Sequence, residues 1–416
     1  MNTAKPYKIS KHVVLEAYNR VKANKGAAGV DDESISDFEE NLKDNLYKIW
    51  NRMSSGSYIP LAVRLVEIPK SDGGKRKLGI PTVTDRVAQM VAKIYLEPGL
   101  EKHFHEDSYG YRPGKSALDA VGLARKRCWQ YHWVIDLDIK GFFDNLDHEL
   151  LMRAIRKHTN CKWLLLYIER WLTAPVQLAD GRIQERTMGT PQGGVISPLL
   201  ANLFLHYTFD EWMKRNYPNN PFERYADDVI VHCKTSTEAT SLKSAIEERL
   251  KDCKLELHPL KTKIVYCKDD NRKEIFPEKQ FDFLGYTFRP RHAKSKEGKY
   301  FVSFSPAIST KAAKSIKQTM REWKLQVKCN RTIEEIAEWI NPVLRGWINY
   351  YGKFRKTALN RIFSLLNIRL TKWAKWKYKK LKGQSRKAMH WLGDIAKQKP
   401  TLFAHWELGI HPGNGQ

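Results

Sequence analysis

A chain of 416 residues has room for two or three domains, each with its own core. Its 42% hydrophobic and 11% aromatic content is that of a folded protein, and 72 Lys and Arg against 46 Asp and Glu leave a net charge of +26, which draws polyanions and disfavours a neutral small molecule as the main ligand. The six scattered cysteines form no Cys-x-x-Cys pair, no apolar run is long enough for a bilayer, and the polar first residues are unlike a signal peptide, so a disulfide scaffold, a cysteine zinc site and a membrane partner are set aside in favour of a bacterial cytoplasm.

From His12 to about Trp50, the spacing of Val14, Ala17, Tyr18 and Val21, then of Phe38, Leu42, Leu46 and Ile49, predicts helices interrupted at Gly26 to Gly29. Residues 63–70 and 75–81 then read as two short strands around the turn Ser71-Asp72-Gly73-Gly74. Lys70, Lys75, Arg76 and Lys77 crowd this hairpin, which suits either a cover for a triphosphate or a solvated charged flap. An amphipathic helix follows from Thr84 to Leu96. The loop Ser108-Tyr109-Gly110-Tyr111-Arg112-Pro113-Gly114 mixes aromatics with Arg112, as a nucleic-acid contact or a structural turn would.

Trp133 to Ile139 alternates strictly, with Ile135, Leu137 and Ile139 on one face and Asp136 and Asp138 on the other. The apolar face seats the strand on a core and turns the carboxylates to a cleft. After Phe142 and Phe143, Asp147 is expected to cap a helix bearing Leu150, Leu151 and Ile155. Gly189-Thr190-Pro191-Gln192-Gly193-Gly194 is a loop that can approach a ligand closely, and Ser197-Pro198 reads as N-cap and first-turn proline of the next helix. Gln192 offers both a donor and an acceptor.

Arg224-Tyr225-Ala226-Asp227-Asp228-Val229-Ile230-Val231 reads as strand, tight turn, strand, with both acids at the turn. Adjacent carboxylates repel unless positive charge lies beside them, and a divalent cation is the usual answer. A helix from about Thr237 to Leu250 precedes a short lysine-bearing strand that includes Lys261, and Phe281 to Tyr286 is another strand. The basic run from Arg289 to Lys299 reads as a linker. Beyond it the chain is helical, with a Thr332/Glu335 capping box. A last long helix turns Ile362, Leu366, Leu370 and Trp373 inward and carries Lys372, Lys375, Lys379 and Lys382 as one stripe, interleaved with Trp373, Trp376 and Tyr378, a track for a phosphate backbone.

In this order, the Asp-bearing strand, the Pro-Gln-Gly-Gly loop, the Tyr-x-Asp-Asp hairpin and the trailing Lys resemble the palm of a reverse transcriptase. The chain is most similar to group II intron-encoded proteins, reverse transcriptases that double as maturases. Ile68-Pro69-Lys70, Leu78-Gly79-Ile80-Pro81, Ser108 to Pro113, Gly189 to Pro198 and Phe283-Leu284-Gly285 match that pattern, and Leu344-Arg345-Gly346-Trp347-Ile348-Asn349-Tyr350-Tyr351 resembles the maturase region. Family members often end in an HNH endonuclease with paired cysteines, and the residues after Trp406 do not match one.

The resemblance implies an α+β right-hand polymerase: a helical extension (1–60), fingers (61–130), a palm with an antiparallel sheet (131–290) and a helical thumb or maturase domain (291–416). It implies RNA-directed DNA polymerisation from an RNA template and DNA primer with deoxynucleoside triphosphates, together with binding of a cognate intron RNA. Asp138, Asp227 and Asp228 become the catalytic acids and, with Ile139, hold two Mg²⁺ ions, for which Mn²⁺ can substitute. Asp138 is preferred to Asp136 because Phe143, five residues on, then falls at the steric-gate position that selects deoxynucleotides. Lys70, Arg76, Gln192 and Lys261 complete the nucleotide site. Two other readings stand beside this one: a mainly RNA-binding splicing factor, and a domesticated relative used in DNA repair or CRISPR spacer acquisition.

Overall fold

A computed structural model describes residues 5–69, 74–295 and 297–413, in two compact units. The first comprises residues 1–116 and 135–264; the second comprises 117–134 and 265–416. The architecture is α+β, as expected. Among the described residues no helix is long and apolar enough to cross a membrane.

In the first unit the predicted leading helices are Lys11–Asn24 and Leu42–Ser55, which bury Val14, Ala17, Tyr18, Val21, Ile49 and Met53. The charged hairpin forms as Val63–Pro69 and Lys75–Ile80, antiparallel, with Arg64 opposite Ile80. Its first strand also pairs in parallel with Val176–Gln177. The helix Val83–Glu101 runs on past Leu96 through Pro98 and buries Val83, Val87, Met90, Val91, Leu96 and Leu100. A four-stranded sheet carries the acids. Its order is Phe222–Tyr225, Asp228–Cys233, Trp133–Asp138, Lys263–Tyr266, so the strand that opens with Asp228 is hydrogen-bonded to the strand that ends in Asp138.

The second unit holds the helix Ala117–Gln130, a three-stranded sheet and a helical bundle. Here the expected linker is replaced by structure. Tyr286–Lys294 pairs along its whole length with Tyr300–Ile308, with Arg289 opposite Ser305 and Arg291 opposite Ser303. Of the run that read as a linker, Arg289 to Lys294 lie on one strand of a long hairpin, since a strand with a solvated face tolerates charge there. The bundle helices Thr310–Glu322, Ile333–Tyr351, Asn360–Lys377 and Ser385–Gln398 close over Ile336, Ile340, Phe363, Leu366, Leu370, Trp373 and Trp406. The Thr332/Glu335 capping box forms.

The single lysine stripe does not form. The helix that was to carry it ends at Lys377, because Tyr378 turns out of helical geometry and packs against Trp373 and Trp391. Lys372 and Lys375 lie on the helix, Lys379 on a following 3₁₀ turn and Lys382 beyond it. Lys375 bonds Ser385 Oγ at 2.7 Å.

Candidate active site

The acid hairpin folds as the alternation demands. Tyr225 faces Asp228 across the ladder, leaving Ala226 and Asp227 as a two-residue loop. Ala226 has φ of 57°, a left-handed conformation that costs an L-residue about 1–2 kcal/mol. A buried polar knot holds it there. Arg224, fully buried, grips Asp210 with Nε to Oδ1 at 2.7 Å and Nη2 to Oδ2 at 2.6 Å. Its Nη1 donates to Asn202 Oδ1 at 2.9 Å and to the Ala226 carbonyl at 3.3 Å. Asn202 in turn donates to the Gly110 carbonyl at 2.6 Å. Gly110 lies so close that a Cβ there would stand 2.5 Å from Ala226 N. No sequence pattern revealed these four positions, because their partners are far apart in the chain and Asp210 ends a π-helical turn, His206–Asp210. Arg224, immediately before the Tyr-x-Asp-Asp run, was the available signal.

Asp138 is fixed through its backbone: its carbonyl accepts from His258 N at 2.7 Å and its amide donates to Thr262 Oγ1 at 3.3 Å. Ile139 continues the strand in an antiparallel bridge with Leu257. Lys261 sits 3.6 Å from Asp138 Oδ2, on a turn rather than on the expected strand. Burial pushes the Asp227 carboxyl above the usual range; its own backbone amide opposes the rise, Asp138's charge adds to it, and Arg76 and Arg224 pull it back. The charges of Asp138 and Arg76 thus both reach Asp227. Asp136 is one pleat back on the same face as Asp138.

The nucleotide-site candidates gather on the same unit. Arg76 Nε donates to Gln192 Oε1 at 2.9 Å, and Gly79 N donates to the Gln192 carbonyl at 2.9 Å. The hairpin and the Pro-Gln-Gly-Gly loop touch backbone to backbone, since a Cβ on Gly193 would lie 2.5 Å from the Gly79 carbonyl oxygen. Gln89, absent from the sequence reading, secures the loop by accepting from Val195 N at 2.8 Å. Phe143 lies on the 3₁₀ turn Phe142–Asp144, buried, and its carbonyl accepts from Thr190 N at 2.8 Å. Ser197 is not the cap that was expected: its Oγ accepts from Thr190 Oγ1 at 2.8 Å, and the helix begins without a side-chain cap.

Arg112 is turned inward, against the expectation of a nucleic-acid contact. It bonds Glu101 Oε1 at 2.6 Å and the carbonyls of His105 and Ser108, each at 2.6 Å, so its donors close the loop that positions Gly110. Lys70 lies outside the described residues. Among the described residues no group of three or more His, Cys, Asp and Glu side chains converges as a metal cage. Asp138 ends the strand paired with the one that opens at Asp228, and its charge raises the Asp227 carboxyl; the Ile139 carbonyl is the only ligand atom that residue can offer. Two mutually repelling carboxylates fit Mg²⁺, which takes one or two protein carboxylates and fills its remaining positions with water and substrate phosphate.

Comparison with known proteins gives two domain matches. The family described as reverse transcriptase (RNA-dependent DNA polymerase) matches residues 68–288, and the group II intron maturase-specific domain matches residues 313–391. Protein YkfC of Escherichia coli is 30% identical over 356 residues, covering 76% of this chain and 89% of its own. Group II intron-encoded protein LtrA of Lactococcus lactis is 27% identical over 433 residues, covering 83% of this chain and 69% of its own. A solved Candida tropicalis telomerase aligns over 55% of this chain and 53% of its own at 16% identity, with a TM-score of 0.43.

Proposed function

We propose, for a chain that belongs to the reverse transcriptase family and carries a group II intron maturase-specific domain, that Asp138, Asp227 and Asp228 form the polymerising centre and that Mg²⁺ is its metal. The chain is an RNA-directed DNA polymerase; its residues' roles are our reading. The observation that carries them is the sheet topology: the strand ending in Asp138 pairs with the strand opening at Asp228, although Asp138 and Asp227 lie 89 positions apart in sequence. Asp138, Asp227, Asp228 and the Ile139 carbonyl would hold Mg²⁺, which when bound would supply positive charge near a primer 3′-hydroxyl and a departing pyrophosphate.

The protein's own groups do the rest. Arg76 and Gln192, already bonded to each other, bind the incoming nucleotide, and the role the family resemblance gives Lys70 is to grip the triphosphate with Arg76. Phe143 bars a 2′-hydroxyl. Lys261, against Asp138, carries a proton that a leaving phosphate can take. The substrates are an RNA template, a DNA primer and deoxynucleoside triphosphates. The maturase-specific domain binds a cognate intron RNA and assists its splicing and mobility.

The test is extension of a DNA primer on an RNA template with Mg²⁺, offering dNTPs or rNTPs. Asp227→Ala should abolish extension while intron RNA binding stays close to the parent value. Equal loss of both would make Asp227 a structural residue and reject the assignment. Phe143→Ala should raise rNTP use relative to dNTP on the order of tenfold to a hundredfold. An unchanged ratio removes Phe143 from the gate.

A further inference from the structure

The long hairpin of the second unit shares a cleft of about 1100 Å³ with the helix Ala117–Gln130. Residues 289–312, most of that hairpin, fall between the two spans that known families match. Three aromatic side chains on the cleft stand open to solvent: Tyr300 at 70%, Trp129 at 45% and Phe301 at 39%. Trp129 is held in place, its Nε1 donating to the Phe304 carbonyl at 2.9 Å, and the Arg125 guanidinium lies 4.7 Å from its ring centroid. Arg125 Nε is shut off from solvent and has no hydrogen-bond partner.

The charges around the rings are mainly positive. Arg125, Lys294, Lys299 and Arg355 line the cleft. Of the acids present, Asp269 is committed to Arg272 and Asp270 accepts from Val302 N at 2.8 Å, which leaves Glu297 as the remaining carboxylate on the wall. Open rings among cations bind one chemistry well: unpaired nucleobases stacked on aromatics with the phosphates held between Lys and Arg. A duplex hides its base faces and cannot use the rings.

We propose that this cleft is a binding site for single-stranded RNA, the stretch of template not yet copied. Reverse transcription keeps primer and product paired, so uncopied RNA is the single strand the reaction itself provides. The assignment rests on the polymerase reading for the identity of the strand, but on the cleft alone for its chemistry.

The experiment uses the full-length protein and a 5-iodouridine-labelled single-stranded RNA of about 20 nucleotides, with crosslinks located by mass spectrometry and affinity measured at fixed salt. Crosslinks at Trp129, Tyr300 or Phe301 are expected. Tyr300→Ala and Lys294→Glu should each weaken binding about fivefold to tenfold, the effect of losing one stacked base or one phosphate contact. Double-stranded RNA of the same sequence should compete poorly, whereas single-stranded DNA, which offers the same base faces and phosphates, should compete comparably. Extension on a template with only a few nucleotides of overhang should proceed at the parent rate in both variants, which separates failure here from failure of the catalytic assignment. Crosslinks confined to other regions, with both variants binding as the parent does, would overturn the proposal. Equal competition by duplex would overturn base stacking.

Discussion

Each unit is tied together by a buried polar knot, and the two knots are built on opposite principles. In the first unit Arg224 and Asp210 form a fully buried ion pair completed by Asn202, and the knot ends on the carbonyl of Ala226, beside Asp227. In the second, Asn367 Oδ1 meets His405 Nε2 at 2.8 Å and Trp406 Nε1 at 3.0 Å, while its Nδ2 donates to the Ile410 carbonyl at 3.0 Å. The second knot carries no charge, since burial pushes the His405 imidazole down to about 3. A charged knot is a poor way to gain stability, because desolvation consumes much of the attraction. It is a good way to hold a strained turn at one geometry, which is what the proposed catalytic role of the Asp227–Asp228 hairpin requires. The C-terminal segment only has to stay closed over its core.

The largest expected effect follows from breaking the charged knot. Arg224→Met strands a buried carboxylate and should cost about 3–5 kcal/mol of stability, read by denaturant unfolding. Primer extension by the folded fraction should fall at least a hundredfold as the turn relaxes. Retained activity per folded molecule would show that the turn does not depend on Arg224. Gly110→Ala is a gentler strike at the same turn. It should lower extension about tenfold and stability by about 1–3 kcal/mol, because one methyl group meets Ala226 N at 2.5 Å. Parent-like turnover in Gly110→Ala would mean that the turn can shift without harm.

How much of this was legible in the sequence follows the range of the interactions. Strand alternation put Asp136 and Asp138 on one face, the tight turn put Asp227 and Asp228 at a hairpin end, and the Thr332/Glu335 box marked a helix start, since each rests on neighbours in the chain. The resemblance put Arg76 and Gln192 in one site but did not foresee their hydrogen bond, because 116 positions separate them. Arg112 was misassigned because an arginine in an aromatic loop looks the same whether it faces RNA or its own loop carbonyls. The hairpin 286–308 was hidden by its charged outer face, and the lysine stripe failed at Tyr378, whose aromatic contacts override helix periodicity.

The neutral knot predicts the smallest effect and a distinct one. His405 binds its proton near pH 6.5 when unfolded but only near 3 when folded. Its stabilising contribution is therefore complete above about pH 6.5 and is lost progressively as pH falls toward 3. Hydrogen exchange on the full chain should show residues 359–410 opening first on acidification. His405→Gln should flatten that dependence, at a cost of about 1–3 kcal/mol at neutral pH for the disturbed buried bonds. Opening that begins instead at residues 202–231 would reverse the comparison between the knots.

The central claim is that Asp138 and Asp227 hold metal in one shared pocket. Fe²⁺ substituted for Mg²⁺, with hydrogen peroxide as oxidant and ascorbate to recycle the iron, generates hydroxyl radicals that cut the backbone within a few ångströms of the bound ion. Cleavage should appear beside both residue 138 and residue 227, fade as Mg²⁺ is added, and vanish from both places in Asp227→Ala. Cuts beside only one of the two acids, or cuts at 138 that persist in Asp227→Ala, would contradict a common metal site.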